Sequence, residues 1–152
     1  MGVSGVGKTT IGEALAGELG WRYLDADDYH PAANVAKMAA GTPLQDADRW
    51  PWLDRLNLLL REQKDAVLGC SALKQAYRRR LTEGLEEFRF VYLRGSFELL
   101  SQRAGGRKHR FMPASLLKSQ FETLEPPADA IEIDVAQPVE GCVAQIRSQL
   151  GR

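Results

Sequence analysis

Apolar and polar positions along this chain switch repeatedly between a period near two and a period near 3.6. Ile11, Leu15 and Leu19 recur at helical spacing, which predicts a helix over residues 10–19. Short stretches over 21–25 (WRYLD), 66–70 (AVLGC), 88–93 (FRFVYL) and 131–135 predict four strands. Helices are predicted between and after them, over 33–40, 48–64, 73–83, 96–103, 113–124 and 139–150. His30-Pro31 and Gly41 bracket the first of these, and Glu125-Pro126-Pro127 ends the fifth. Asp48 is the expected cap of the 48–64 helix, with Pro51 in its first turn, and Ser71 the expected cap of the next. Strands alternating with helices predict an α/β domain with a parallel sheet.

The segment that precedes the first helix gives this pattern a chemistry. Gly2-Val3-Ser4-Gly5-Val6-Gly7-Lys8-Thr9 fits G-x-x-x-x-G-K-[ST] at every fixed position, and Thr10 continues into the helix. Glycines there let backbone N–H groups converge on phosphate oxygens, and the helix aims its positive end at the same place. Lys8 is expected to reach the β- and γ-phosphates of ATP, and Thr9 to place a hydroxyl on Mg²⁺. Such a loop joins a buried strand to a helix, yet one residue, Met1, precedes it. The expected fold is therefore a phosphate-loop NTPase-type parallel sheet flanked by helices, with its first, central strand missing from the N-terminus. Without that strand, two neighbours should be left with unpaired backbone and an apolar trench between them.

Composition narrows the class only modestly. The 152 residues fit a single domain, 1–152, and 44% hydrophobic with 26% charged residues is ordinary for a globular protein. Twenty basic residues balance twenty acidic ones, so neither nucleic acid nor a membrane surface is an expected partner. Apolar runs are too short to span a bilayer, and no signal peptide is visible. Cys70 and Cys142 lack metal spacing and are expected to be reduced core residues in a cytoplasmic setting.

Asp25-Ala26-Asp27-Asp28 stands at the end of the first predicted strand, where doubly wound sheets bind ligands. Strand alternation pairs Asp25 with Asp27 on one side. Carboxylates there either hold Mg²⁺ or accept the proton of a hydroxyl attacking the γ-phosphate. Arg103, Gly105, Gly106, Arg107, Lys108 and Arg110 make the region around 103–112 basic and glycine-containing. Beside a phosphate loop it is expected to act as a mobile lid, with Arg107 and then Arg103 bringing charge to the phosphates.

From Asp25 to Leu53 the chain reads D-A-D-D-Y-H-P-A-A-N-V-A-K-M-A-A-G-T-P-L-Q-D-A-D-R-W-P-W-L. With Cys70-Ser71-Ala72-Leu73-Lys74, Tyr77-Arg78, Phe111-Met112-Pro113 and Gln120-Phe121-Glu122-Thr123-Leu124-Glu125-Pro126-Pro127, it closely resembles the gluconokinases of the phosphate-loop kinase superfamily. The resemblance covers almost the whole chain in order. It implies transfer of the ATP γ-phosphate to the 6-hydroxyl of D-gluconate. It also implies Asp27 as base or hydroxyl-orienting residue, Asp25 supporting Mg²⁺, and His30, Lys37, Arg49 and Lys74 on the acceptor side. Gly2, Ser4, Gly5, Val6, Gly7, Lys8, Thr9, Thr10 and Arg103 would bind nucleotide, and Arg107 would join Lys8 and Asp27 in the chemistry. The lid base and the Ala136-Gln137-Pro138 turn are the expected adenine neighbourhood, and a homodimer is the expected assembly. Two other readings stay open: a kinase for another small hydroxy acid such as shikimate, and a nucleotide-binding remnant of low activity. The lid departs from the family at His109-Arg110, where glycine-histidine is expected, and at Ala104-Gly105-Gly106.

Overall fold

A computed structural model describes residues 1–105 and 114–152 of the chain. Among them the order is α1 (Lys8–Leu19), β1 (Arg22–Asp25), a 3₁₀ turn (Ala26–Tyr29), α2 (Ala32–Ala39), α3 (Asp46–Glu62), β2 (Ala66–Gly69), α4 (Gln75–Thr82), β3 (Val91–Arg94), α5 (Phe97–Gly105), α6 (Ala114–Thr123), β4 (Ile131–Asp134) and α7 (Val139–Leu150). Every predicted strand and helix is present, and the α/β class with parallel strands holds.

Three local expectations change. Ser71 does not cap α4: Ala72 takes a left-handed φ of +47°, the helix starts only at Gln75, and the buried Arg78 guanidinium takes the Ala72 and Leu73 carbonyls at 2.7 and 3.1 Å. Helix α3 begins two residues before Asp48, whose Oδ2 accepts from Gln45 N at 2.9 Å from inside the first turn. Pro51 accordingly falls in the second turn, opposite the carbonyl of exposed Ala47, which water can satisfy. The strand predicted over 88–93 starts at Val91, because Phe88 and Phe90 turn to pack edge to face at 5.6 Å.

The sheet is parted where the loop-delivering strand was expected. β1 pairs with β2 in parallel (Tyr23 opposite Val67) and β3 with β4 (Leu93 opposite Ile133), giving two separate two-stranded sheets. Each has its own core. Val3, Ile11, Leu15, Leu93, Leu100, Ile133, Val143 and Ile146 pack around β3 and β4, while Trp52, Leu53, Leu56, Cys70, Tyr77 and Leu81 pack beside β1 and β2.

Met1 and Gly2 carry the main chain between the two. Met1 N donates to Val91 O at 2.7 Å and Leu93 N donates to Met1 O at 3.0 Å, the pairing of a parallel strand opposite Tyr92. On the other flank Gly2 N donates to Ser71 O at 3.2 Å. Gly2 has φ +149°, and a Cβ there would lie 2.8 Å from the Leu93 carbonyl oxygen, so glycine is required at this crossing. Below the bridge runs a cleft of about 580 Å³, lined by Leu15, Val67, Gly69, Val91, Leu93 and Ile146 among others. This is the apolar trench anticipated from the sequence.

The register yields a direct test. Extending the chain ahead of Met1 by about five apolar, β-branched residues would continue the ladder along β2 and β3. Such a variant should melt on the order of 5 °C above one extended by glycine and serine. Equal melting temperatures in differential scanning calorimetry would contradict the strand register assigned to Met1.

Candidate active site

The phosphate loop curls between the bridge and α1. Gly5 (φ +81°) and Gly7 (φ +104°) take left-handed conformations, and Gly7 leads into α1, whose first turn holds no acidic side chain to occupy its positive end. Lys8 bends back over the loop, and its Nζ donates to Gly2 O at 2.9 Å and Val3 O at 3.0 Å. Burial holds the Lys8 pKa below its usual value, while Cys70, Asp27 and Asp25 pull it back up. Both aspartates therefore lie within electrostatic reach of the loop lysine. Cys70, buried beside them, has its thiol pushed up to about 11 by desolvation and stays an unreactive core residue.

The two aspartates do not share a strand face as alternation predicted. β1 ends at Asp25 and the chain winds into the 3₁₀ turn, with Asp25 Oδ1 accepting from Asp27 N at 3.0 Å. Asp25 thus caps the turn and presents Asp27 with its side chain 85% exposed. Behind Asp27 stands buried His30, stacked on Trp52 with ring centroids 4.2 Å apart. Asn34 Nδ2 lies 3.2 Å from His30 Nδ1 and donates to Asp48 O at 2.9 Å. An amide NH₂ can only donate, so this network assigns Nδ1 as acceptor and puts the ring proton on Nε2, 3.8 Å from Asp27 Oδ1. Trp52 is itself fixed by its Nε1 donating to Ala26 O at 2.8 Å, so it packs the turn rather than facing a ligand.

The candidate acceptor-side cations divide into two groups. Lys37 is held by Asp48, with both carboxylate oxygens 2.9 Å from its Nζ. Arg49 and Lys74 share one partner, Asp46, at 3.6 and 3.9 Å, and both cations lie over the Tyr77 ring, 5.3 and 5.6 Å from its centroid. Tyr77 hydroxyl in turn donates to Asp46, and burial followed by that carboxylate pushes the phenol up to about 12. Arg49 also lowers the His30 pKa, which links this cluster to the Asp27 turn. Arg103 donates to Val135 O at 2.6 Å, at the mouth of the Ala136-Gln137-Pro138 turn. Arg107 and the rest of the expected lid, including His109 and Arg110, lie outside the described residues.

Residues 1–127 match the protein family described as an AAA domain. A probable gluconokinase of Xenopus tropicalis is 45% identical over 174 residues, covering 100% of this chain and 92% of that protein. The chain belongs to the gluconokinase family. The thermoresistant gluconokinase of Escherichia coli strain K12 is 43% identical over 152 residues, covering 95% of this chain and 87% of the relative. A solved gluconokinase from Sinorhizobium meliloti 1021 superposes with a TM-score of 0.91 at 43% identity, covering 100% of this chain and 89% of that one. A shikimate kinase from Bacteroides thetaiotaomicron, at 16% identity and TM-score 0.71, shares the fold.

In this gluconokinase-family chain Arg49 pairs with Asp46, one of the two aspartates its spacing left open to it, and the Tyr77 hydroxyl completes the Arg49–Lys74 cluster. Gln120 of α6 holds the phosphate loop at Ser4, across 116 positions of sequence, where no spacing rule reaches. For a hard divalent cation the donor set suits Mg²⁺: the Thr9 hydroxyl and the Asp25 carboxylate are oxygen ligands flanking Lys8, and Mg²⁺ takes few protein ligands beside substrate phosphate. No helix among the described residues is long and apolar enough to cross a membrane.

His30 gives the site a pH signature. Burial, the largest cause, holds its pKa below the ordinary value, with Asp27 opposing. The unfolded chain then takes up the extra proton, so stability is fully present above about pH 6.5 and falls as pH drops through the folded-state value. The melting temperature should decline between pH 6.5 and 5, with a matching change in tryptophan fluorescence from the stacked Trp52. His30→Gln should flatten that limb; an unchanged pH dependence in the variant would remove His30 as its source.

Proposed function

We propose that this chain transfers the γ-phosphate of ATP to the 6-hydroxyl of D-gluconate, giving 6-phosphogluconate and ADP. One observation carries the reading: the phosphate-loop lysine, the exposed Asp27 and the Arg49–Lys74 pair lie along one run of charged groups within electrostatic reach of their neighbours, from nucleotide seat to acceptor seat. A sugar acid needs both a hydroxyl acceptor for proton transfer and a cationic seat for its carboxylate, and this run offers one of each. The names of the relatives point the same way.

In the mechanism, the loop N–H groups and Lys8 bind the phosphates, Lys8 exchanging the Gly2 and Val3 carbonyls for phosphate oxygens. Thr9 and Asp25 would hold Mg²⁺, which supplies neutralisation of phosphate charge. Asp27 accepts the proton of the attacking 6-hydroxyl, and the Nε2–H of His30 steadies its carboxylate. Arg49 and Lys74 receive the gluconate carboxylate in place of Asp46, which is half exposed and serves both cations. Lys37, already matched by Asp48, organises the acceptor wall instead of binding substrate. Arg103 steadies the adenine-side turn through Val135, and Arg107 brings its guanidinium to the transferring phosphate. The working protein is a cytoplasmic homodimer without a nucleic-acid partner.

The test is ATP- and Mg²⁺-dependent turnover measured across gluconate, related sugar acids and shikimate. Gluconate should be preferred; turnover confined to shikimate, or absent with every acid despite ATP binding, would overturn the proposal. Lys8→Ala should lower kcat/KM by on the order of 10³-fold. Asp27→Asn should lower kcat by about 10²-fold or more while leaving the KM for ATP within about twofold. A fully active Asp27→Asn enzyme would remove that residue as the base.

A further inference from the structure

The backbone N–H of Ser4, in the phosphate loop, is taken up by a side chain from a distant helix. It donates to Gln120 Oε1 at 2.6 Å, and Gln120 Nε2 donates to Ser4 Oγ at 2.8 Å. Gln120 belongs to α6, which follows the basic segment in the chain and contacts α5. The Lys8 ammonium bonds Gly2 O and Val3 O, one residue from Ser4. Since that lysine reaches the β- and γ-phosphates, Ser4 borders the terminal phosphate rather than the α-phosphate.

The same helix is tied to the acceptor side. Just beyond its end, Glu125 N donates to Leu73 O at 2.8 Å, and Gln75 N donates to Glu125 Oε1 at 2.7 Å. Arg78 Nη2 closes the junction by donating to Glu125 O at 2.7 Å. These bonds fix the residues on both sides of Lys74. The C-terminal end of α6 therefore grips the γ-phosphate wall through Gln120, and five residues on, Glu125 grips the segment that presents an acceptor-side cation.

We propose that Gln120 is a positioning residue that couples the two substrate seats. This inference rests on the gluconate-kinase reading given above. A carboxamide suits the task because it both accepts and donates and carries no charge. When phosphate arrives it can release the Ser4 N–H to the incoming oxygens and turn its own N–H toward them. A carboxylate at the same place would repel the phosphate. The resulting shift of α6 passes through Glu125 to Lys74, so each substrate tightens the seat of the other, as reciprocal linkage requires.

The experiment measures the Kd of a non-hydrolysable ATP analogue by calorimetry, with and without saturating gluconate, alongside melting temperature. In the natural sequence gluconate should tighten the analogue about fivefold or more. Gln120→Ala removes the hold on Ser4, and Glu125→Ala removes the side-chain bond to Gln75 N on the acceptor side. Each should reduce that ratio to below about twofold, with the unliganded protein still folding cooperatively. Gln120→Glu, close in shape, should also raise the KM for ATP. A ratio preserved in Gln120→Ala, or a ratio of one in the natural sequence when both ligands bind, would overturn the coupling and leave the proposed function standing. Analogue binding with no gluconate binding at all would sink the proposed function, and the coupling with it.

Discussion

The site depends on one main-chain crossing. Met1 and Gly2 place three backbone hydrogen bonds across the gap between the two sheets, two to β3 and one to the chain leaving β2. The phosphate loop starts there, Lys8 folds back onto the Gly2 carbonyl, and Ser71, just past the end of β2, accepts from Gly2 N. Gly2 makes the crossing possible because any side chain would meet the Leu93 carbonyl.

Around that fixed loop the charges are arranged in pairs of unequal commitment. Lys37 and Asp48 satisfy each other at 2.9 Å, and the first turn of α3 adds a backbone bond that lowers the Asp48 pKa further. Arg49 and Lys74 instead share Asp46 at longer range, held up by the Tyr77 face. The first pair behaves as architecture. The second has two cations to one exposed carboxylate, and so retains positive charge for an anionic ligand even though the whole chain is electrically balanced. Asp27 is left exposed by the cap that Asp25 supplies, with a neutral histidine behind it.

Much of this was legible in the sequence. The loop motif and the strand–helix alternation follow from local pattern, and the split sheet and trench appear where the loop-delivering strand was expected. The failures have a common cause in tertiary hydrogen bonding. Ser71 reads as a cap because serine usually is one, but buried Arg78 holds the preceding carbonyls and delays the helix to Gln75. Asp25 and Asp27 read as a strand pair because alternation was carried one residue too far, past the point where Asp25 capped a turn. Lys37 and Arg49 were indistinguishable as lone basic residues; only their partners separate them. Gln120 had no spacing signal, since its contact with Ser4 joins opposite ends of the chain.

The most direct measurement is the position of the phosphate on the product. After incubation with ATP, Mg²⁺ and gluconate, phosphorus and carbon NMR should show one new phosphomonoester, coupled to the primary carbon, C6, and formed in equal amount to ADP. A phosphate on any secondary carbon, or ADP released without a phosphorylated acid, would contradict the placement of the acceptor carboxylate on Arg49 and Lys74 with its far hydroxyl at Asp27.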